Sequence, residues 1–317
     1  MFFKMLTKWG IFLTIIISVS SDSWFIYWLM MEINLVLFIP VMNSKKKSSS
    51  NSMITYFVIQ VFSSTLFFLS SLILETCEFM LFYNLIAISM MIKLAVIPFH
   101  FWMISISEMI DYKSLFVLIS IQKVIPLFIT SKYNFDILFV FVILSSIFGS
   151  LLALNTKMIK KILIFSSISH QGWMISLILA KSNFWISYIF IYSFLIFSIL
   201  NSLNKSMTIQ NLFNTKTFFS KMAMISLFLS LGGMPPFLGF FMKIVSILII
   251  SKMSKIIMLI LIISSIINIY FYMNLATPSL FLNYTKKNFY IIKSEMKSII
   301  LNMNLFLVIM LLNFMLL

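Results

Sequence analysis

Eleven apolar runs, each close to the length of a bilayer crossing, limit what this 317-residue chain can fold into. They fall at about 3–21, 24–42, 53–74, 79–103, 113–130, 136–154, 161–179, 184–204, 221–250, 256–276 and 298–316. A helix needs ~20 apolar residues to cross the hydrocarbon core. The runs are too long and too uniformly apolar to be the alternating strands of a membrane barrel. Composition agrees: 62% of residues are hydrophobic and 10% charged, with a mean hydropathy of +1.09. A soluble domain carries ~25% charged residues. The expected fold is an all-α polytopic membrane protein of about eleven transmembrane helices, forming a single transmembrane domain over residues 1–317. The first run resembles a signal peptide in its basic start, Lys4 and Lys8, and its serine tail. Ten further spans make it the first helix instead.

The charge pattern orients the bundle. The formal charge is +15, and every basic residue is lysine. Threading the spans places sixteen lysines on the N-terminal side, among them Lys45, Lys46, Lys47, Lys157, Lys160 and Lys161. Four lie opposite: Lys132, Lys181, Lys252 and Lys255. Such asymmetry puts the N-terminus on the cytoplasmic or matrix side and, after eleven spans, the C-terminus across the membrane. Lysines in short loops explain the positive charge without nucleic acid, whose readers rely on arginine forks. Heavy use of Phe, Met, Ile, Asn and Lys suggests A/T-rich codons and a small genome such as a mitochondrial one. One cysteine, Cys77, excludes an internal disulfide or a Cys-ligated iron–sulfur cluster. The six glycines form no phosphate-binding loop.

Glu32, Lys93, Lys123 and Lys243 fall within spans. A charge at the bilayer centre costs ~2.5–3.5 kcal/mol on insertion scales, so each is a functional candidate. Snorkelling accounts for lysines near helix ends and suits Lys93 poorly. Helix breakers lie beside them. Pro98 has no N–H for the carbonyl of Leu94, and Pro126 none for that of Gln122. Leu231-Gly232-Gly233-Met234-Pro235-Pro236 is the strongest breaker, with Pro235 and Pro236 releasing the carbonyls of Leu231 and Gly232. Unwound backbone at membrane depth is tolerated where it lines a protein-enclosed cavity, and its pairing with buried charge marks ion-translocation sites. The two broken elements, 79–103 and 221–250, are expected to be corresponding members of two repeats. Desolvation disfavours an ammonium and a nearby carboxylate favours it, so a lysine whose carboxylate neighbour changes can release and regain a proton. Glu32 is the expected partner of Lys93. His170, mid-span, is placed to relay between Lys123 and Lys243, with a satisfied neutral histidine as the alternative. His100 is read as interfacial or structural, and Glu75, Glu78, Glu108 and Asp111 as solvated loop residues.

These residues together resemble the antiporter-like membrane subunits of respiratory complex I, the NADH:ubiquinone oxidoreductase, and among them the subunit 2 family. The matching stretches are Met31-Glu32-Ile33-Asn34 through Pro40, Lys93-Leu94-Ala95 through Pro98-Phe99-His100-Phe101-Trp102, and Gln122-Lys123 with Pro126. Lys161 through Ser169-His170-Gln171-Gly172-Trp173 follows, then Leu231-Gly232-Gly233-Met234-Pro235-Pro236 through Gly239-Phe240 and Lys243. The resemblance implies inverted repeats with two broken helices, and a core subunit that couples electron transfer elsewhere to proton translocation across the mitochondrial inner membrane. It implies a proton relay through Glu32, Lys93, Lys123, His170 and Lys243. No cofactor or metal is expected on this chain. Flavin, iron–sulfur clusters and ubiquinone are implied in partner subunits, and structural phospholipids are expected around the bundle. A stand-alone cation/proton antiporter is the rival reading.

Overall fold

An apolar run becomes a stable helix in lipid only if its backbone groups and hydroxyls are satisfied from within. In the computed structural model, which describes residues 2–43, 48–76, 80–133, 135–203, 218–235 and 237–281, the hydroxyls do this locally. Ser63, Ser89, Ser145 and Ser166, among others, each return a hydroxyl hydrogen to the carbonyl three residues earlier. Serine-rich runs can therefore lie inside the bundle without cross-helix partners.

The helices are α1 (Phe2–Ser20), α2 (Trp24–Met42), α3 (Ser48–Thr76), α4 (Met80–Leu94), α5 (Phe101–Met109), α6 (Tyr112–Ile119), α7 (Val124–Lys132), α8 (Leu138–Leu154), α9 (Ile159–Leu179), α10 (Phe184–Ser202), α11 (Phe218–Gly232), α12 (Leu238–Ser251) and α13 (Lys255–Phe281). Six segments are long and apolar enough to cross a membrane: 24–42, 50–76, 112–132, 159–179, 184–202 and 255–275. Shorter apolar helices, such as Leu81–Leu94 and Leu238–Ser251, fill the rest. The expected spans from 3 to 276 map onto this order. The run at 298–316 lies outside the described residues, as do Lys45–Lys47, Cys77 and Glu78.

The expected breaks are real, and each has a backbone cause. α4 stops at Leu94, and the next helix begins at Phe101. Ala95 takes φ 55, with its N–H on the Ile92 carbonyl and the N–H of Val96 on Met91. That is a Schellman termination, with a left-handed residue closing the helix. α11 ends identically, with Gly233 at φ 84, its N–H on Ser230 and the N–H of Met234 on Leu229. Ala95 bears the left-handed strain that Gly233 avoids. The third interruption takes another form. Pro126 itself sits in the first turn of α7, where a missing N–H costs little, and the residue whose carbonyl it leaves, Gln122, lies in the interruption. That interruption precedes the proline, as the one-turn 3-10 helix Ile121–Lys123.

Burial is inverted relative to a soluble protein: large apolar side chains cover the outside. Trp9 and Ile16 of α1, Phe190 of α10, and Ile256, Leu259, Ile263 and Tyr270 of α13 are exposed. Polar side chains gather inside, on α9. Nearly every residue from Ile159 to Ile178 is buried, including Ser166, Ser167, Ser169, His170, Gln171 and Ser176. The closest packing is of α8 on α9. A Cβ on Gly149 of α8 would lie 2.9 Å from the backbone nitrogen of Ser169, so this approach requires glycine. Small residues at such a seam let two backbones meet.

Candidate functional site

Each broken helix presents carbonyls that its own backbone no longer uses, and polar side chains collect on them. The Leu94 carbonyl, left free by Pro98, accepts from Nε2 of Gln171 on α9 at 2.6 Å. The Ile92 carbonyl, which already accepts the Ala95 N–H, also takes the indole N–H of Trp102 at 3.2 Å. At the second break the Gly232 carbonyl accepts from Nζ of Lys243 at 2.6 Å. The imidazole of His170 lies against the Leu231 carbonyl. Gly233 makes room for Lys243: a Cβ there would sit 2.8 Å from its Cδ and 2.9 Å from its Nζ. Lys243 reaches back across its break, so the ammonium rests on the unwound turn. Pro236 lies outside the described residues; Pro235 is exposed at the turn.

The ionisable residues form a line through the interior. Glu32 of α2 accepts a hydrogen bond from the Ser64 hydroxyl of α3. One turn earlier on α3, the Gln60 carbonyl accepts from Nζ of Lys93 at 3.3 Å. Among the described residues the ion pairs are Lys132–Asp22 and Lys161–Glu108. Glu32 and Lys93 thus make no direct ion pair, although their charges act on each other. A small cavity, about 10 Å³ in volume, follows, with Lys93, Lys123, Gln60, Gln122, Tyr56 and Trp102 in its wall. That volume is about one water site, and its walls are polar.

Lys123 ends the 3-10 turn and is 3% exposed, with Nζ 3.4 Å from the Ser167 carbonyl on α9. One turn along α9 comes His170, which is fully buried and feels the charges of both Lys123 and Lys243. Its Nδ1 is hydrogen-bonded to the Tyr188 hydroxyl at 2.8 Å. Tyr192 stacks on it at 5.0 Å. Hydroxyls of Tyr192 and Tyr272 approach Ser167 and Ser166. Asn268 of α13 donates to the Ser169 hydroxyl at 3.0 Å. Each lysine therefore rests on a carbonyl rather than a carboxylate. Such a contact holds the ammonium as a hydrogen-bond donor without fixing its charge, which suits a group that must give up its proton.

The structure brings Glu32, Lys93, Lys123, His170 and Lys243 into one interior series. His100 is buried, at 6% exposure, with Nδ1 3.2 Å from the Pro98 carbonyl, a structural placement. Glu108 lies in α5 and pairs with Lys161, so it is not a free loop carboxylate.

Other participants went unassigned from the sequence. Asn34 and Gln122 form a reciprocal carboxamide pair, at 2.9 and 3.1 Å, that ties Glu32's helix to Lys123's turn. Carboxamides inside apolar runs are costly without partners, and that cost could have singled out both of them and Gln171. The four-residue spacing of Tyr188 and Tyr192 puts both on one helix face. Ser64 gave no signal, since most serines here are satisfied by their own helix. Among the described residues, no three His, Cys, Asp or Glu side chains come together as a metal site would require.

Known proteins resemble this chain in sequence and in fold. The profile of the NADH:quinone oxidoreductase/Mrp antiporter transmembrane family matches residues 69–268. NADH-ubiquinone oxidoreductase chain 2 of Rhipicephalus sanguineus is 48% identical over 309 residues, covering 96% of this chain and 98% of the relative. Chain 2 of Lumbricus terrestris is 33% identical over 282 residues, covering 84% and 83%. A chain of respiratory complex I from Thermus thermophilus, solved with bound aureothin, superposes with a TM-score of 0.81 at 18% identity, covering 97% of this chain and 78% of its own. The chain belongs to the NADH-ubiquinone oxidoreductase chain 2 family, within the antiporter-like transmembrane subunits.

Proposed function

We propose that this chain is a core membrane-arm subunit of mitochondrial complex I whose interior series, Glu32, Lys93, Lys123, His170 and Lys243, moves protons in response to electron transfer elsewhere in the assembly. Family membership supports the subunit role. The observation that carries the relay is the placement of three lysines, Lys93 half-buried and Lys123 and Lys243 buried, on carbonyls or cavity wall beside helix interruptions, with His170 between the last two. In this reading, a proton leaving Lys93 crosses the small cavity to Lys123, then passes by His170 to Lys243. The protein supplies position and field, while the flavin, iron–sulfur and ubiquinone chemistry belongs to partner subunits.

The finer reading has eleven spans in one transmembrane domain, the N-terminus in the matrix, the C-terminus in the intermembrane space, and phospholipid around the outer faces. Nucleic acid has no part in it. The contact of Lys132, one of the four minority lysines, with Asp22 of the α1–α2 turn supports that threading. A stand-alone antiporter is disfavoured by the full-length match to complex I chains.

Two measurements test this. On a native gel stained for NADH dehydrogenase activity, the chain's peptides are expected in the high-mass active band. Migration away from that activity would restore the antiporter reading. In the assembled complex, Lys93→Met is expected to cut proton translocation per NADH oxidised at least twofold. An unchanged ratio would remove Lys93 from the relay.

A further inference from the structure

Glu32 and Lys93 influence each other without touching, and one turn of α3 lies between them. Its upper end is Ser64, fully buried, whose Oγ donates to Oε1 of Glu32 and lies 2.9 Å from the Val61 carbonyl. Its lower end is Gln60, whose carbonyl holds Nζ of Lys93. In an α-helix the N–H of residue 64 bonds to the carbonyl of residue 60, so the two contacts share one peptide hydrogen bond.

A serine hydroxyl has one hydrogen and two lone pairs. It faces two acceptors here, and it can serve only one as donor. With Glu32 ionised, the hydrogen points to Oε1. With Glu32 protonated, the arriving proton stays on Oε1 and is donated to Ser64 Oγ, while the serine hydrogen rotates about Cβ–Oγ to the Val61 carbonyl. No covalent bond changes at Ser64, and the Glu32–Ser64 hydrogen bond persists in both charge states. Ser63 and Ser71 of α3 lack this choice: each donates to the carbonyl three residues earlier, at 2.8 Å.

We propose that Ser64 is a positioning residue for Glu32, reversing its hydrogen bond so that the carboxyl stays beside the Gln60–Ser64 turn, within electrostatic reach of Lys93, in both protonation states. This rests on the relay reading above.

The test uses the assembled complex in sealed membranes, with proton translocation per NADH and complex content both measured. Ser64→Ala removes the hydroxyl and adds no bulk; it is expected to lower the ratio at least twofold at normal complex content. Ser64→Thr, which keeps the hydroxyl, is expected to restore it. Ser71→Ala is expected to match the unmodified enzyme. Equal ratios for Ser64→Ala and Ser71→Ala, alongside a lowered ratio for Glu32→Gln, would overturn the role of Ser64 and leave the relay standing. An unchanged ratio for Glu32→Gln would overturn both. A failure of Ser64→Thr to recover, at normal complex content, would also overturn the proposal.

Discussion

Two adjacent glycines at the second helix break should respond very differently to the same small change. Gly233→Ala meets two penalties. The left-handed backbone at φ 84 costs a residue with a Cβ ~1–2 kcal/mol. The new Cβ would also lie 2.8 Å from Cδ and 2.9 Å from Nζ of Lys243, so the lysine must leave the Gly232 carbonyl it holds at 2.6 Å. A hydrogen bond to a charged group is worth ~1.5–3 kcal/mol. Together the aligned state loses about 2.5–5 kcal/mol, a depletion of at least ~60-fold at ~1.4 kcal/mol per decade. Gly232→Ala adds the same methyl in helical backbone, where its nearest neighbour is Cδ2 of Tyr272 at 3.4 Å, an ordinary contact. The assay is proton translocation and NADH:quinone turnover, each normalised to assembled complex on a native gel. Gly232→Ala is expected near the unmodified rate, and Gly233→Ala is expected to lose most translocation per assembled complex. Equal behaviour of the two would refute the argument. So would a Gly233→Ala defect confined to assembly.

Removing the donor on the first break, Gln171→Leu, strands the Leu94 carbonyl at a cost of ~1–3 kcal/mol and should lower the midpoint of thermal dissociation of the complex. Asn34→Leu and Gln122→Leu should each impair turnover, and the exchanged pair Asn34→Gln with Gln122→Asn should recover part of it, because only a carboxamide can both donate and accept across that contact. A double exchange no better than either single change would show that the pairing is incidental. Asp22→Asn breaks the exposed contact with Lys132 and should change stability by at most ~1 kcal/mol and leave translocation intact, as surface ion pairs contribute little.

Much of this architecture was legible because lipid makes sequence unusually explicit. A span must be apolar along its whole length, so α1–α3 and α8–α10 stand out by run length alone. Buried lysines stand out because each is expensive. The breaks at 95–100 and 233–237 were readable from proline and glycine, since those residues act on the local backbone. Pro126 acts in the same way at a distance of one turn: its missing N–H falls in the first turn of α7, and the interruption covers Gln122, the residue four before it. What stayed hidden were relations between helices. Nothing in the sequence says that Gln171 caps Leu94, that Asn34 meets Gln122, or that Glu108 reaches Lys161. Those pairings span 53 to 88 residues and depend on helix rotation, which periodicity does not determine when nearly every face is apolar.

The crowding of polar contacts onto α9 has a consequence for timing. Lys123 meets the Ser167 carbonyl, Asn268 the Ser169 hydroxyl, Tyr188 the His170 ring, and the Leu94 carbonyl the Gln171 amide, all within five consecutive residues. A slide of α9 by a single residue, ~1.5 Å along its axis, would carry the first of these out of bonding range and misalign the others in the same instant. The four contacts therefore hold or release together, and α9 can shift along its axis only by giving up all of them at once.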